Sequence, residues 1–289
     1  MFHRNHTFTK HIFSLAVGLA LAIGLAHAFG QTARAAEQSF VSVLGVTPEG
    51  EACLMGGSLR NVIAEPDVLV DFMKHKQSYA LVHLGDTRGE VVAIGAPETP
   101  EQGGDCEESF IQELTLSPEQ LGLLQIAVKG SIGDTKKRLP KSVKELSRLS
   151  KPHIKLVMDY LVKAGLKDPK VHLRQVIETD IDGDGKTETL INALNTSNGD
   201  TLKGEYSLVL LVRGGLNEPQ IVEIHKEISM EDEAEPSLIV AQTIVSLIDL
   251  EDDGKLELVL YGAFAFGEGW QVLRVRKDNS EQILFCGCG

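Results

Sequence analysis

The chain predicts an α+β protein with a mixed N-terminal region, central helices and a C-terminal antiparallel β domain of sandwich or barrel-like form. Three observations carry this. From residue 170 onward, short runs rich in β-branched residues recur with turn-forming residues between them. Residues 142–164 hold apolar side chains at helical spacing and stop at Gly165, as a helix C-terminus should. Two carboxylate-rich loops, 180–188 and 249–257, each sit between strand-like flanks.

In chain order, residues 1–35 read as an export signal. Arg4 and Lys10 precede an apolar run from Ile12 to Ala26, and two small-x-small sites follow, Ala26-His27-Ala28 and Ala33-Arg34-Ala35. Cleavage is expected after Ala35, with Ala28 as the alternative. The apolar run is shorter than the roughly twenty residues of a membrane span. Removing residues 1–35 takes away three basic residues and no acid, so the formal charge moves from −13 to −16.

Residues 36–130 form the mixed N-terminal domain. Phe40–Leu44, Ser78–Leu84 and Glu90–Ala96 read as strands, with Asp86-Thr87-Arg88-Gly89 as a hairpin connection. Pro66 to Met73 reads as a short helix and Pro97 to Asp105 as a surface loop. Ser117-Pro118-Glu119-Gln120 carries an N-cap, a first-turn proline and a capping-box glutamine.

Residues 131–169 are the linker and helices, with helices expected over Ser142–Leu149 and Pro152–Ala164. Lys136, Lys137, Arg138, Lys141 and Lys144 make the one basic stretch of an acidic chain. They are expected to form a solvated face, the alternative being a surface for an anionic partner. Residues 170–289 are the β-rich domain, with strands over 171–178, 189–194, 206–212, 220–225, 239–250, 256–262, 269–276 and 282–286. Met230 to Glu235 is expected as an exposed acidic loop. Trp270 is expected in the core, with stacking on a sugar as the alternative.

The four cysteines suit an oxidising compartment. A Cys53–Cys106 bond is expected. Cys286 and Cys288 would pair with each other or with the N-terminal half.

In the first loop, Asp180, Asp182 and Asp184 alternate, so their side chains can turn toward one centre. Gly185 permits the turn, the Lys186 carbonyl can point inward and Glu188 can close the shell. A hard cation such as calcium takes six to eight oxygens at about 2.3–2.6 Å. Carboxylates packed this closely repel one another unless a cation lies between them. Helix-flanked calcium hands need a glutamate at the twelfth loop position, where this chain has Ile191 and Leu260, so that class is excluded.

The strand-flanked D-x-D-G-D-G-x-x-E pattern resembles the calcium hairpins of FG-GAP and VCBS-type proteins, which include the integrin α-subunit propeller. Residues 261–272 also resemble the hairpin that follows such loops in a group of exported bacterial proteins of unassigned role. The resemblance implies calcium ligands at Asp180, Asp182, Asp184, Lys186 (backbone) and Glu188, and again at Asp249, Glu251, Asp253, Lys255 (backbone) and Glu257. The second loop departs at Glu251, where Asp or Asn is usual, and at Asp252, where Gly is usual. Two such loops fall short of the repeats a closed propeller needs.

The acidic balance argues against nucleic acid or an anionic membrane as partner. No G-x-S-x-G, H-E-x-x-H or phosphate-binding G-x-x-x-x-G-K-S/T occurs. The expectation is an exported calcium-binding protein with a structural or binding-module role, its partner an envelope or extracellular protein or a glycan. A calcium-stabilised secreted hydrolase acting on glycan or peptide is the alternative.

Overall fold

The computed structural model describes residues 40–73, 76–99, 109–196, 202–231, 239–265 and 267–288. The signal-like segment, Cys106, most of the loop expected over 97–105 and most of the acidic loop after Met230 lie outside the described residues. Most of the described chain is antiparallel β-sheet, so the fold is more strongly β than the α+β expectation.

The first sheet comprises β1 (Phe40–Val46), β2 (Ala52–Leu59), β3 (Val62–Ala64), β4 (Ser78–His83), β5 (Asp86–Val92) and β6 (Gln125–Lys129), in the order β3-β2-β1-β6-β4-β5. The short helix α1 (Pro66–Val70) covers its outer face. Next come α2 (Ile132–Thr135), β7 (Lys144–Glu145) and α3 (Lys151–Lys163). The second sheet adds β8 (Leu173–Thr179), β9 (Glu188–Asn195), β10 (Tyr206–Arg213) and β11 (Gln220–Ile228), in the order β11-β10-β9-β8-β7. The third is a meander of β12 (Ala241–Ile248), β13 (Glu257–Phe264), β14 (Gly267–Val275) and β15 (Ser280–Cys288).

Side-chain direction alternates along a strand, so one sheet can feed two cores. The third sheet does this. Val245, Ile248, Val259, Trp270 and Val272 pack against Val43, Met55, Val82 and Ile126 of the first sheet. Ile244, Leu247, Leu258, Leu260 and Leu273 pack against Ile177, Leu190, Val209 and Leu211 of the second. The third sheet is therefore the middle layer of three, which explains why Ile244–Ile248 of β12 and Glu257–Leu260 of β13 are buried without a break on either face. Antiparallel strands with one wet face would alternate instead. The outer face of the second sheet is closed by Leu156, Val157 and Leu161 of α3 against Val176, Ile191, Tyr206 and Leu208. Trp270 is 3% exposed and belongs to the core.

All eight strands expected after residue 170 are present. Elsewhere the structure corrects the expectation. The β4–β5 connection is Leu84-Gly85, both at positive φ (55° and 135°), and residues 86–89 belong to β5. Residues 142–149 are not helical: Lys144 and Glu145 pair with Glu178 and Ile177 of β8. The strand β2 carries Gly56 and Gly57, where its backbone closes on that of Ala64 and Val41. The cysteine pairing differs at Cys53, expected to meet Cys106, while Cys286 takes one of the two partners expected for it, the N-terminal half. Cys53 on β2 bonds to Cys286 on β15, with Cα atoms 6.1 Å apart, linking the N-terminal half to the C-terminal tail.

Candidate metal centre

The first acidic loop joins β8 to β9 and the second joins β12 to β13. Each therefore connects the first two strands of a four-stranded meander, β8–β11 or β12–β15, in two different sheets. The loops abut. The N–H of Leu256 donates to the carbonyl of Ile181 at 2.9 Å, and a Cβ on Gly183 would lie 2.5 Å from the Gly254 carbonyl oxygen.

Within each loop the backbone N–H groups are held by the loop's own carboxylates, in schemes that differ at one contact of the first aspartate. Asp180 accepts from the N–H groups of Gly183 (2.8 Å) and Gly185 (3.0 Å). Asp249 accepts from those of Asp253 (3.2 Å) and Gly254 (2.8 Å). Asp184 and Asp253 each accept from the lysine two residues on, through backbone N–H and ammonium alike. Glu188 and Glu257 reach back to accept from Ile181 and Leu250, both at 2.9 Å. Positive φ recurs at matched positions, Gly183 with Asp252 and Gly185 with Gly254. Two loops 69 residues apart thus adopt one backbone design, dictated by D-x-D/E-x-D-G-K-x-E.

They differ at the third position. In the first loop, carboxylate oxygens of Asp180, Asp182 and Glu188 all lie within 4.8 Å of one another. Glu188 is buried and the two aspartates half-buried. Asp184 is not gathered with them, since it is exposed and paired with Lys186 at 2.9 Å. In the second loop, Glu251 swings to Arg274 of β14, whose Nε lies 3.1 Å from its carboxylate. Among the described residues, Asp249, Glu251, Asp253 and Glu257 do not form a comparable group.

Two arginines that single-residue patterns do not reveal explain this contrast. Arg213 ends β10 and lies 3.6 Å from Asp182, while Arg274 on β14 bonds Glu251 directly. Both come from the third strand of their meander. Superposing the meanders, rather than the loops alone, is the sequence operation that would have exposed them. Arg213 is also committed elsewhere, donating to the carbonyls of Arg276 and Lys277. The first loop is left with less internal compensation than the second.

The electrostatics follow from burial. Desolvation raises the Glu188 carboxyl above its ordinary range, opposed by the Ile181 N–H and reinforced by Asp182 and Asp180. Glu257, more deeply buried, is pushed up to about 7, mainly by desolvation, with Glu251, Asp249 and Asp253 adding repulsion. On the exposed rim, the hydrogen bond from Lys186 lowers the Asp184 carboxyl. A buried glutamate whose carboxyl is raised beside two further carboxylates is an arrangement a hard cation relieves.

Both loops contribute to the lining of a cleft of about 1080 Å³, through Asp180, Gly183, Thr187, Asp249, Gly254 and Leu256, whereas Asp182 and Glu188 do not line it. No known protein family, curated protein or solved structure matches the chain.

Proposed function

We propose that this is an exported calcium-binding protein, in which a cation at Asp180, Asp182 and Glu188 fixes the junction between two β-sheets for a structural or binding-module role. The observation that carries the reading is the approach of three carboxylates within 4.8 Å at one strand-flanked loop. An all-carboxylate donor set suits a hard cation rather than zinc or copper. Oxygens on opposite sides of a calcium ion stand roughly 4.6–5.2 Å apart at its usual bond lengths, so the triad fits one coordination shell. The carbonyl of Lys186 and the carboxylate of Asp184 would complete it. Asp249, Asp253, Glu257 and the carbonyl of Lys255 would take a second ion only once Glu251 is drawn from Arg274. The disulfide, and the absence of a membrane-length apolar helix among the described residues, are compatible with export.

The test is a calorimetric calcium titration beside thermal melts in calcium and in chelator. A cation that binds only the folded state stabilises by about 2.7 kcal/mol at a hundredfold excess over Kd. The wild-type protein should show this shift, and Asp182→Asn should lose most of it. A wild-type protein that neither takes up heat nor changes its melting point with millimolar calcium would overturn the reading.

A further inference from the structure

The third strand of each meander carries an arginine at or beside its end, and each arginine faces the third position of its own acidic loop. Arg213 closes β10 and lies 3.6 Å from Asp182, while Arg274 on β14 bonds Glu251. The two contacts are unequal. Arg274 donates to one Glu251 oxygen from its Nε, at 3.1 Å, and from a terminal nitrogen as well. Arg213 approaches Asp182 through a terminal nitrogen alone, beyond hydrogen-bond distance, and its Nε is buried with no hydrogen-bond partner among the described residues. Glutamate is one methylene longer than aspartate, and that extra reach closes in the second loop the gap that stays open in the first. Asp182 consequently remains gathered with Asp180 and Glu188, whereas Glu251 is spent on its arginine.

The Arg213 side chain is 14% exposed. A guanidinium keeps its charge at any working pH, and a charge withdrawn from water acts on its neighbours with little screening. Its bonds to the Arg276 and Lys277 carbonyls, at 3.3 and 2.7 Å, hold it in place but supply no negative charge. Among the described residues, the acid it pairs with is Asp182. A cation held by Asp180, Asp182 and Glu188 would have to share Asp182 with this arginine. Two positive groups on one carboxylate repel each other, so Arg213 stabilises the empty loop and opposes its filling.

We infer that the third-strand arginine of each meander is a built-in competitor for the cation of its loop, holding the second loop closed and setting the affinity of the first. This role rests on the cation-binding function proposed above and names the group that regulates it. Arg213 acts through Asp182 and is not itself a ligand.

The experiment is a calorimetric calcium titration of the folded wild-type protein, Arg213→Met, Arg213→Lys and Arg274→Met, each beside a thermal melt in chelator. Methionine fills much of the space of arginine without its charge, and lysine keeps the charge without the fork. Arg213→Met should bind calcium about tenfold more tightly, the scale of removing one partly screened charge beside a divalent ion. It should also melt below the wild type in chelator, because the carboxylates lose their counter-charge. Arg213→Lys should bind within about threefold of the wild type, since the charge stays. Arg274→Met should take up a second ion, because Glu251 is released while Glu281 keeps Arg276 as its partner. Arg213→Gln repeats the charge removal with a polar side chain, so misfolding of the methionine variant leaves the measurement intact. Unaltered affinity on removing the Arg213 charge overturns the competitor, and so does equal tightening by lysine, which would trace the effect to the lost carbonyl bonds. A single ion in Arg274→Met overturns the part assigned to the second loop. Binding by Arg213→Met with a silent wild type upholds the competitor and overturns the ion proposed for the native loop, whereas silence in every variant overturns both.

Discussion

At the scale of single residues, the two acidic loops act as internal controls for each other. Gly183 and Asp252 occupy matched positions with φ of 75° and 57°, a region glycine enters freely and other L-residues enter at a cost. Gly183 has a second constraint, because its Cα faces the Gly254 carbonyl and an added Cβ would stand 2.5 Å from that oxygen. Gly183→Ala should therefore destabilise the protein by about 2 kcal/mol or more, combining left-handed strain with a backbone clash. Asp252→Gly should do the reverse. Relieving the strained φ, less the entropy glycine loses on folding, leaves a gain of about 1 kcal/mol. Urea denaturation of both variants in chelator checks the pair, and changes of the same sign would contradict the matched-loop geometry. Much of the residue-level design was legible, because D-x-D-G-D-G-x-x-E states both turn and ligand spacing. What could not be read was direction: Asp184 faces Lys186 and Glu251 faces Arg274, choices made by groups that fold beside them.

At the scale of elements, β12 is the edge of the third sheet, and its free backbone groups are buried where it meets the second. Unpaired buried N–H and C=O groups are costly, so something must replace the missing strand. Side chains do. The Gln175 amide spans Ile244 like a peptide unit, its oxygen accepting from the Ile244 N–H and its NH2 donating to the Ile244 carbonyl, both at 2.8 Å. Asn192 donates to the Gln242 carbonyl at 2.7 Å and to Gln175 at 3.2 Å. Register shifts between Leu173 and Gln175 in β8, and between Ile244 and Ser246 in β12, fall at this contact. Bulges re-aim side chains in this way. Gln175→Leu should cost about 3 kcal/mol by stranding both Ile244 groups. Faster hydrogen exchange at the Ile244 amide would identify the loss as local, and unaltered exchange would contradict it. The strands themselves were legible because β-branched runs bury easily on either face. The misread element is instructive: Val143, Leu146 and Leu149 have helical spacing, yet Leu149 is 82% exposed and Val143 packs into the core, so no common face exists. Strand β2 was hidden by Gly56 and Gly57, which serve close backbone approach rather than propensity.

At the scale of the whole molecule, the three stacked sheets bring together segments far apart in sequence, and the Cys53–Cys286 bond closes a span of 233 residues. That pairing was not legible because cysteine counts leave connectivity open, and only the stacking of β15 on β2 brings these two together. Both cysteines are buried in the core shared by the first and third sheets, alongside Val43, Met55, Val259 and Trp270. A cross-link inside a shared core acts mainly on the unfolded chain, which it keeps from expanding. Cys53→Ala/Cys286→Ala should therefore lower stability by about 2–5 kcal/mol while the folded state keeps its packing. The slope of stability against denaturant should rise, because an unlinked unfolded chain exposes more surface. The shape of the transition decides a further point. Trp270 lies over Gly45 so closely that a Cβ there would overlap the indole, so the first sheet cannot leave the third without opening this core. A single cooperative transition should therefore survive loss of the disulfide, followed by Trp270 fluorescence and by far-ultraviolet circular dichroism. Two separated transitions would mean that the bond, and not the shared core, couples the N-terminal sheet to the sheets that carry the acidic loops.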